Sequence, residues 1–194
     1  MPQNGPGDAK GLSYSFAYRS AFFPITDQYA GSRGTDVTIN LPWISGQLQE
    51  NRRPFVFTFG HSPAFHVTKS SDETEFQLFN VPEVRDRFWQ LHVRHKVIAC
   101  IASHEHFYTR GKRDGVYQIV QGNGGESPFT YRPNEVDGSL VEVFPTRPLN
   151  KRDVLPRYLA VTADEEEQTI TATEKCITGN GSLTVFDSFV MYAR

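Results

Sequence analysis

The chain has 194 residues, and 20 Lys+Arg against 22 Asp+Glu give a formal net charge of −2. That balance excludes a protein that wraps nucleic acid, which needs a clustered excess of Lys and Arg to release counterions. The longest apolar run, Val97 to Ala102, falls far short of the roughly 20 residues of a spanning helix, so no membrane is expected as partner.

A content of 38% hydrophobic and 13% aromatic residues is that of a globular chain. The length fits one domain, taken as residues 11–194 behind a Pro- and Gly-rich loop or tail at residues 1–10. Neither a basic start nor an apolar core stands at the first residues, so no secretory signal is read there and localisation stays open. Cys100 and Cys176 lie too far apart for a CxxC zinc pattern.

In chain order, Leu12 to Tyr18 alternates large apolar with small polar side chains, the period of a half-buried strand. Ala21 to Thr26 is its expected partner, with Pro24 placing it at a sheet edge or a strand end. A surface loop is expected from Ala30 to Thr38. Asn40 caps a helix with Pro42 in its first turn and Leu41, Ile44 and Leu48 on one face. Arg53 to Phe59 is a β-prone run stopped abruptly by Gly60-His61-Ser62-Pro63. Beyond a polar stretch ending at Glu75, a second helix is expected from Pro82 to His95, with Val84, Phe88, Leu91 and His95 in one stripe, then a nearly all-apolar strand from Lys96 to Ala102. Strand, helix, strand in that order is the signature of a parallel α/β sheet, whose ligands sit beyond the carboxyl ends of its strands.

At those ends stand His61 and the run Ser103-His104-Glu105-His106-Phe107-Tyr108; a further strand, Val116 to Val120, leads into Gln121-Gly122-Asn123-Gly124-Gly125. Three strand ends therefore converge on one polar region. The remainder reads as an antiparallel set: Tyr158 to Ala163, Thr169 to Lys175 after an acidic turn, and Leu183 to Tyr192. Imidazole is the commonest transition-metal ligand, so His61, His104 and His106 are the candidate metal ligands, with His66 in the same loop as the first. His92 and His95 fall near a helix C-terminus and are read as structural. Arg110-Lys112-Arg113 could face an anion, though such a run is more often a solvated turn. No P-loop and no GxSxG motif occurs.

Taken together, Gly60-His61-Ser62-Pro63, Ser103-His104-Glu105-His106 and Gly122-Asn123-Gly124-Gly125 resemble the later motifs of the calcineurin-like metallophosphoesterases, especially the purple acid phosphatase branch. Tyr14-Ser15-Phe16, Trp43-Ile44 with Gln47-Leu48, and Phe186-Asp187-Ser188-Phe189 extend the resemblance over nearly the whole chain. The resemblance implies a partial four-layer αββα sandwich of mixed α/β class. It implies a two-metal hydrolysis of phosphate esters with Zn, Fe or Mn, in which His61 and His104 serve one ion and His106 the other. It makes His66 the catalytic candidate, in contact with phosphate.

Two departures accompany it. Ser103 stands where the family has Gly, which suggests that a strained backbone angle is relaxed there. The family's earlier motifs, Asp-x-His, Gly-Asp-x-x-Asp and Gly-Asn-His-Asp, are absent, and with them the bridging carboxylate and the Asn ligand. Two ligands and one fall short of even a catalytic zinc, which keeps three protein ligands. Asp8, Asp27 or Asp114 could substitute, and no spacing selects among them. The expectation is a C-terminal portion of a longer ancestor, with unpaired strand edges and apolar faces, inactive alone and prone to associate with a complementary fragment or with itself. The alternative is a non-catalytic half-domain used for binding or assembly. A cupin-type barrel, which His104-x-His106 on a strand could serve, lacks a later His and is disfavoured by the two helices.

Overall fold

A computed structural model describes residues 2–7, 9–29, 37–68, 77–124, 129–146 and 155–193. Asp8, Gly125, most of the loop expected at Ala30 to Thr38, and the polar stretch ending at Glu75 lie outside these residues.

The first sheet is built from β1 (Tyr14–Tyr18), β2 (Ala21–Ile25), β3 (Phe55–Phe59), β4 (Ala99–Ala102), β5 (Tyr108–Arg113), β6 (Val116–Gln121) and β7 (Val141–Phe144), in the spatial order β1-β2-β3-β4-β6-β5-β7. β2, β3, β4 and β6 run parallel, and β1, β5 and β7 are antiparallel to their neighbours. β2 is therefore internal, not an edge. Pro24 is tolerated because it stands one residue from the strand's end, where the parallel ladder to β3 is already interrupted.

Alternation along β3 sorts the core into two layers. Val56 faces a cluster with Ile44 and Leu48 of α1 (Leu41–Glu50) and Phe88, Trp89 and Leu91 of α2 (Pro82–Arg94). Phe55 and Phe57 face the other way, against Ile170, Ala172 and Met191. Those three belong to a second, antiparallel sheet of β8 (Arg157–Asp164), β9 (Thr169–Ile177) and β10 (Leu183–Tyr192), in the order β10-β9-β8. The layers among the described residues are helices, seven-stranded sheet, three-stranded sheet, a mixed α/β sandwich.

Asn40 caps α1 as expected, accepting the Trp43 N–H at 2.9 Å. In α2 the buried stripe includes His92 and not His95. The His92 ring is fully enclosed: Nδ1 donates to the Phe88 carbonyl at 2.7 Å and Nε2 accepts from Thr58 Oγ1 at 2.6 Å. Burial pushes its pKa down to about 4, so it is a neutral core residue rather than a cation at a helix end. The basic run is likewise not a solvated turn. It lies on β5, where Arg110 Nε bonds Asp187 of β10 at 2.7 Å and ties the two sheets together. Lys112 approaches Glu142 at 3.5 Å, and Arg113 lies over the Phe65 ring at 4.3 Å. Each cation is matched within the chain, which leaves no reason to assign the run to an anionic ligand. Residues of the opening segment dock on the body: Asn4 bonds Ser15 of β1, and the indole of Trp43 donates to the Asn4 carbonyl at 2.8 Å. Among the described residues no helix is long and apolar enough to cross a membrane.

Candidate functional site

β3, β4 and β6 are adjacent and parallel, so the loops that leave their carboxyl ends meet on one rim of the sheet. The loop after β3 carries His61 and His66, the loop after β4 carries His104 and His106, and β6 runs into Gly122. Backbone bonds draw these loops together: Gly60 N–H donates to Ile101 O at 3.1 Å, Ser103 N–H to His61 O at 2.9 Å, and Gly122 N–H to Phe107 O at 3.1 Å.

The first loop has no ladder of its own, and three buried side chains supply its partners. Gln28 Nε2 donates to the Ser62 carbonyl at 2.9 Å. Gln118 bonds the Phe65 N–H at 2.9 Å and the Phe65 carbonyl at 2.8 Å. Glu105 Oε1 accepts the N–H groups of Val67 at 3.1 Å and Thr68 at 3.0 Å. A buried loop must satisfy its backbone somewhere, and here it does so through amide and carboxylate side chains. None of the three stood out in the sequence. Only Glu105 carried a signal, an acid set between two histidines next to an apolar strand. Burial pushes its pKa up to about 8, although the two amide bonds pull the other way.

Of the four candidate histidines, the structure brings two into contact. His104 Nδ1 and His61 Nε2 are 3.3 Å apart, with the rings edge to face and their centroids at 5.3 Å. His106 stacks on Phe129, centroids 4.3 Å apart. His66 sits beside Phe79, with Nδ1 at 4.0 Å from Asp137 Oδ2. Burial raises the Asp137 carboxyl, but bonds from the Ser139 hydroxyl and N–H, with His66 nearby, outweigh it and hold the group below its ordinary value. Ser103 is not among the residues of positive φ, whereas His104 beside it is, at φ 62°. Gly122 meets a real steric need, since a Cβ there would lie 1.9 Å from the Glu105 carbonyl oxygen. Asn123 ties the turn to the second sheet, its carbonyl accepting the Arg157 N–H at 3.3 Å.

Two nitrogens bound to one tetrahedral zinc at about 2.0–2.1 Å stand roughly 3.3 Å apart. His61 and His104 have that spacing and could hold one ion. Among the described residues, however, no three His, Cys, Asp or Glu side chains converge as a metal-holding group. Asp27 is engaged locally, accepting the Tyr29 N–H at 3.0 Å. Asp114 precedes β6 and so lies at the opposite end of the sheet from the histidines. The donors present amount to part of a metal site.

No family model matches the sequence, and no curated protein matches it. Solved structures of similar fold do exist. The purple acid phosphatase PPD1 of yellow lupin, Lupinus luteus, superposes with a TM-score of 0.66 at 18% identity, covering 92% of this chain and 32% of that one. PhoD gives 0.64 at 10% identity over 97% of this chain and 43% of that one. GAP50, the anchor in the inner membrane complex of Plasmodium, gives 0.58 at 10% identity over 94% and 55%. This chain thus spans between about a third and a little over half of their lengths. At such identities the likeness concerns the backbone alone: the chain has the mixed α/β sandwich fold of these structures.

Proposed function

We propose that the protein is a metal-dependent phosphoesterase-like domain that hydrolyses phosphate esters when further ligands complete its site. In this reading His61 and His104 hold one ion of Zn, Fe or Mn, His106 serves a second, and His66 contacts phosphate. The observation that carries it is the His61–His104 pair, two imidazoles 3.3 Å apart on loops leaving neighbouring parallel strands. A pair of such ions, when bound, would activate water and stabilise the attacking and leaving oxygens. The test is titration of the purified protein with Zn²⁺ or Co²⁺ beside an assay on an aryl phosphate. Wild type is expected to take up metal and His104→Ala to lose it, with any turnover lost in step. A wild type that binds no metal sinks the proposal.

A second reading, a non-catalytic module for binding or assembly, is supported by the shortfall in ligands and by one surface. Between the two sheets lies a cleft of about 400 Å³ whose lining includes Phe23, Phe57, Phe59, Val161 and Ile170. β8, an edge strand of its sheet, runs along it. In this reading a complementary fragment or a second copy covers that face. Association without metal uptake would select it.

A further inference from the structure

Residues 103–107 form an unusually cramped turn. The Glu105 N–H donates to the Ser103 carbonyl at 2.7 Å, and the Phe107 N–H donates to the Glu105 carbonyl at 2.7 Å, so two successive bonds each span only two residues. The residue at the centre of the first is His104, with φ 62°. A γ-turn with positive φ at its centre is the rare, strained form, and a residue bearing a Cβ enters it at a cost. Such strain persists only where the surroundings over-determine it, and an outlier at a candidate ligand is a reason to ask what holds it.

Two contacts grip this turn. On one side the backbone of Gly122 presses against the Glu105 carbonyl, close enough that no side chain fits between them. On the other, the Glu105 side chain, 2% exposed, reaches the amides of Val67 and Thr68. Those amides close the loop that begins at His61. Further bonds extend the stitching, with Thr68 Oγ1 donating to Glu135 Oε2 at 3.2 Å and the Asp137 N–H to the His66 carbonyl at 3.0 Å. Gln28 and Gln118 brace the first histidine loop against strands or their flanks. Glu105 joins it to the second, from the position between His104 and His106, together with the Ser103 N–H bond to the His61 carbonyl.

We propose that Glu105 is the positioning residue of the histidine cluster: its buried carboxyl group, anchored on the amides of Val67 and Thr68, holds the His104 turn in its positive-φ form and so sets the spacing of His104 from His61. The assignment rests on the reading of that cluster as the reactive centre, but its geometric content requires no metal.

The test therefore begins with metal-free, isotopically labelled protein. In wild type, hydrogen exchange at Val67, Thr68, Glu105 and Phe107 is expected to follow a single opening event, because the Glu105 side chain ties the two loops together. Glu105→Val is expected to abolish the ring-to-ring nuclear Overhauser contact between His61 and His104, while Glu105→Gln, which keeps a carbonyl oxygen as acceptor, retains it. A Glu105→Val protein that folds, releases the Val67 and Thr68 amides and still shows the ring contact overturns the proposal. Should that variant not fold, wild-type exchange decides: separate, faster opening of Val67 and Thr68 overturns it equally. Co²⁺ affinity, measured in parallel, is expected to fall about 10–100-fold in the valine variant and to be rescued by glutamine. A wild type that takes up no Co²⁺ defeats the metal reading alone and leaves the ring contact to judge Glu105.

Discussion

A Cβ built on Gly122 would stand 1.9 Å from the carbonyl oxygen of Glu105 and 3.1 Å from Cα of His106, both backbone atoms that no rotamer change can move. Gly122→Ala must therefore displace one of the two loops, and overpacking of this kind costs about 1–3 kcal/mol or more. We expect a lower melting temperature together with altered imidazole resonances of His104 and His106; unchanged ring signals would mean that the turn yields elsewhere. Glu174 poses a different problem, a carboxyl with no exposed surface between the sheets. Burial pushes its pKa up from 4.5 to about 7, against the opposing pull of the Gln121 bond and of Arg157. Because the folded value lies above the unfolded one, its contribution to stability is present below 4.5 and is lost as pH rises through about 7. The shift corresponds to roughly 3 kcal/mol. Glu174→Gln should thus gain on wild type, in unfolding free energy, as pH is raised from about 5 to about 8, and chemical denaturation at both ends measures it. His92 acts on the other limb. Its depressed value means that the stability it gives at neutral pH is lost as pH falls from 6.5 through about 4, so wild type should weaken in acid as well.

At the scale of elements, α1 shows how much a local pattern can decide. Asn40 as cap, Pro42 in the first turn, and Ile44 and Leu48 on the buried face all came from neighbours in sequence, and all are found. Asn40→Ala removes the side-chain acceptor of the Trp43 N–H at this helix start and is expected to cost about 1 kcal/mol, readable as a shifted denaturation midpoint with an unchanged slope. β3, β4, β6 and the three C-terminal strands were legible for the same reason, since apolar or alternating runs bounded by Gly, Pro or acidic turns carry their own signal. β5 was not. Tyr108-Thr109-Arg110-Gly111-Lys112-Arg113 reads as polar because the partner that neutralises Arg110, Asp187, comes from another sheet 77 residues later in the chain. The same holds at the site. The histidines could be picked out by residue type and by their place after strands, whereas Gln28, Gln118 and Glu105 acquire meaning only from backbone groups the fold brings to them. The positive φ of His104 was equally invisible, being a property of a turn whose constraints lie on Gly122 and Val67.

For the molecule as a whole, the two sheets are locked by polar and aromatic contacts at one end and flank an apolar cleft at the other. Near β5 to β7 they are locked by Tyr108 and Arg110 on Asp187 and by aromatic contacts of Phe186 with Tyr108 and Phe144. Toward β1 to β3 the apolar cleft lies between them, and beside it Phe16 stacks on Phe23 at 4.9 Å while remaining 43% exposed. Apolar surface of this kind, next to a strand edge that pairs with nothing among the described residues, drives association by burial and by strand addition together. Val161 lines the cleft from β8 and is 46% exposed, so a lysine there can reach water and should alter stability by no more than about 0.5 kcal/mol. Tyr192 is 67% exposed and does not line the cleft, which makes Tyr192→Lys the control for added charge alone. If the cleft is the adhesive face, Val161→Lys lowers both the fluorescence of a bound hydrophobic dye and the concentration-dependent growth in hydrodynamic radius, and Tyr192→Lys lowers neither. Equal effects of the two variants would trace any association to general charge, and would remove the cleft as a candidate surface for a second chain.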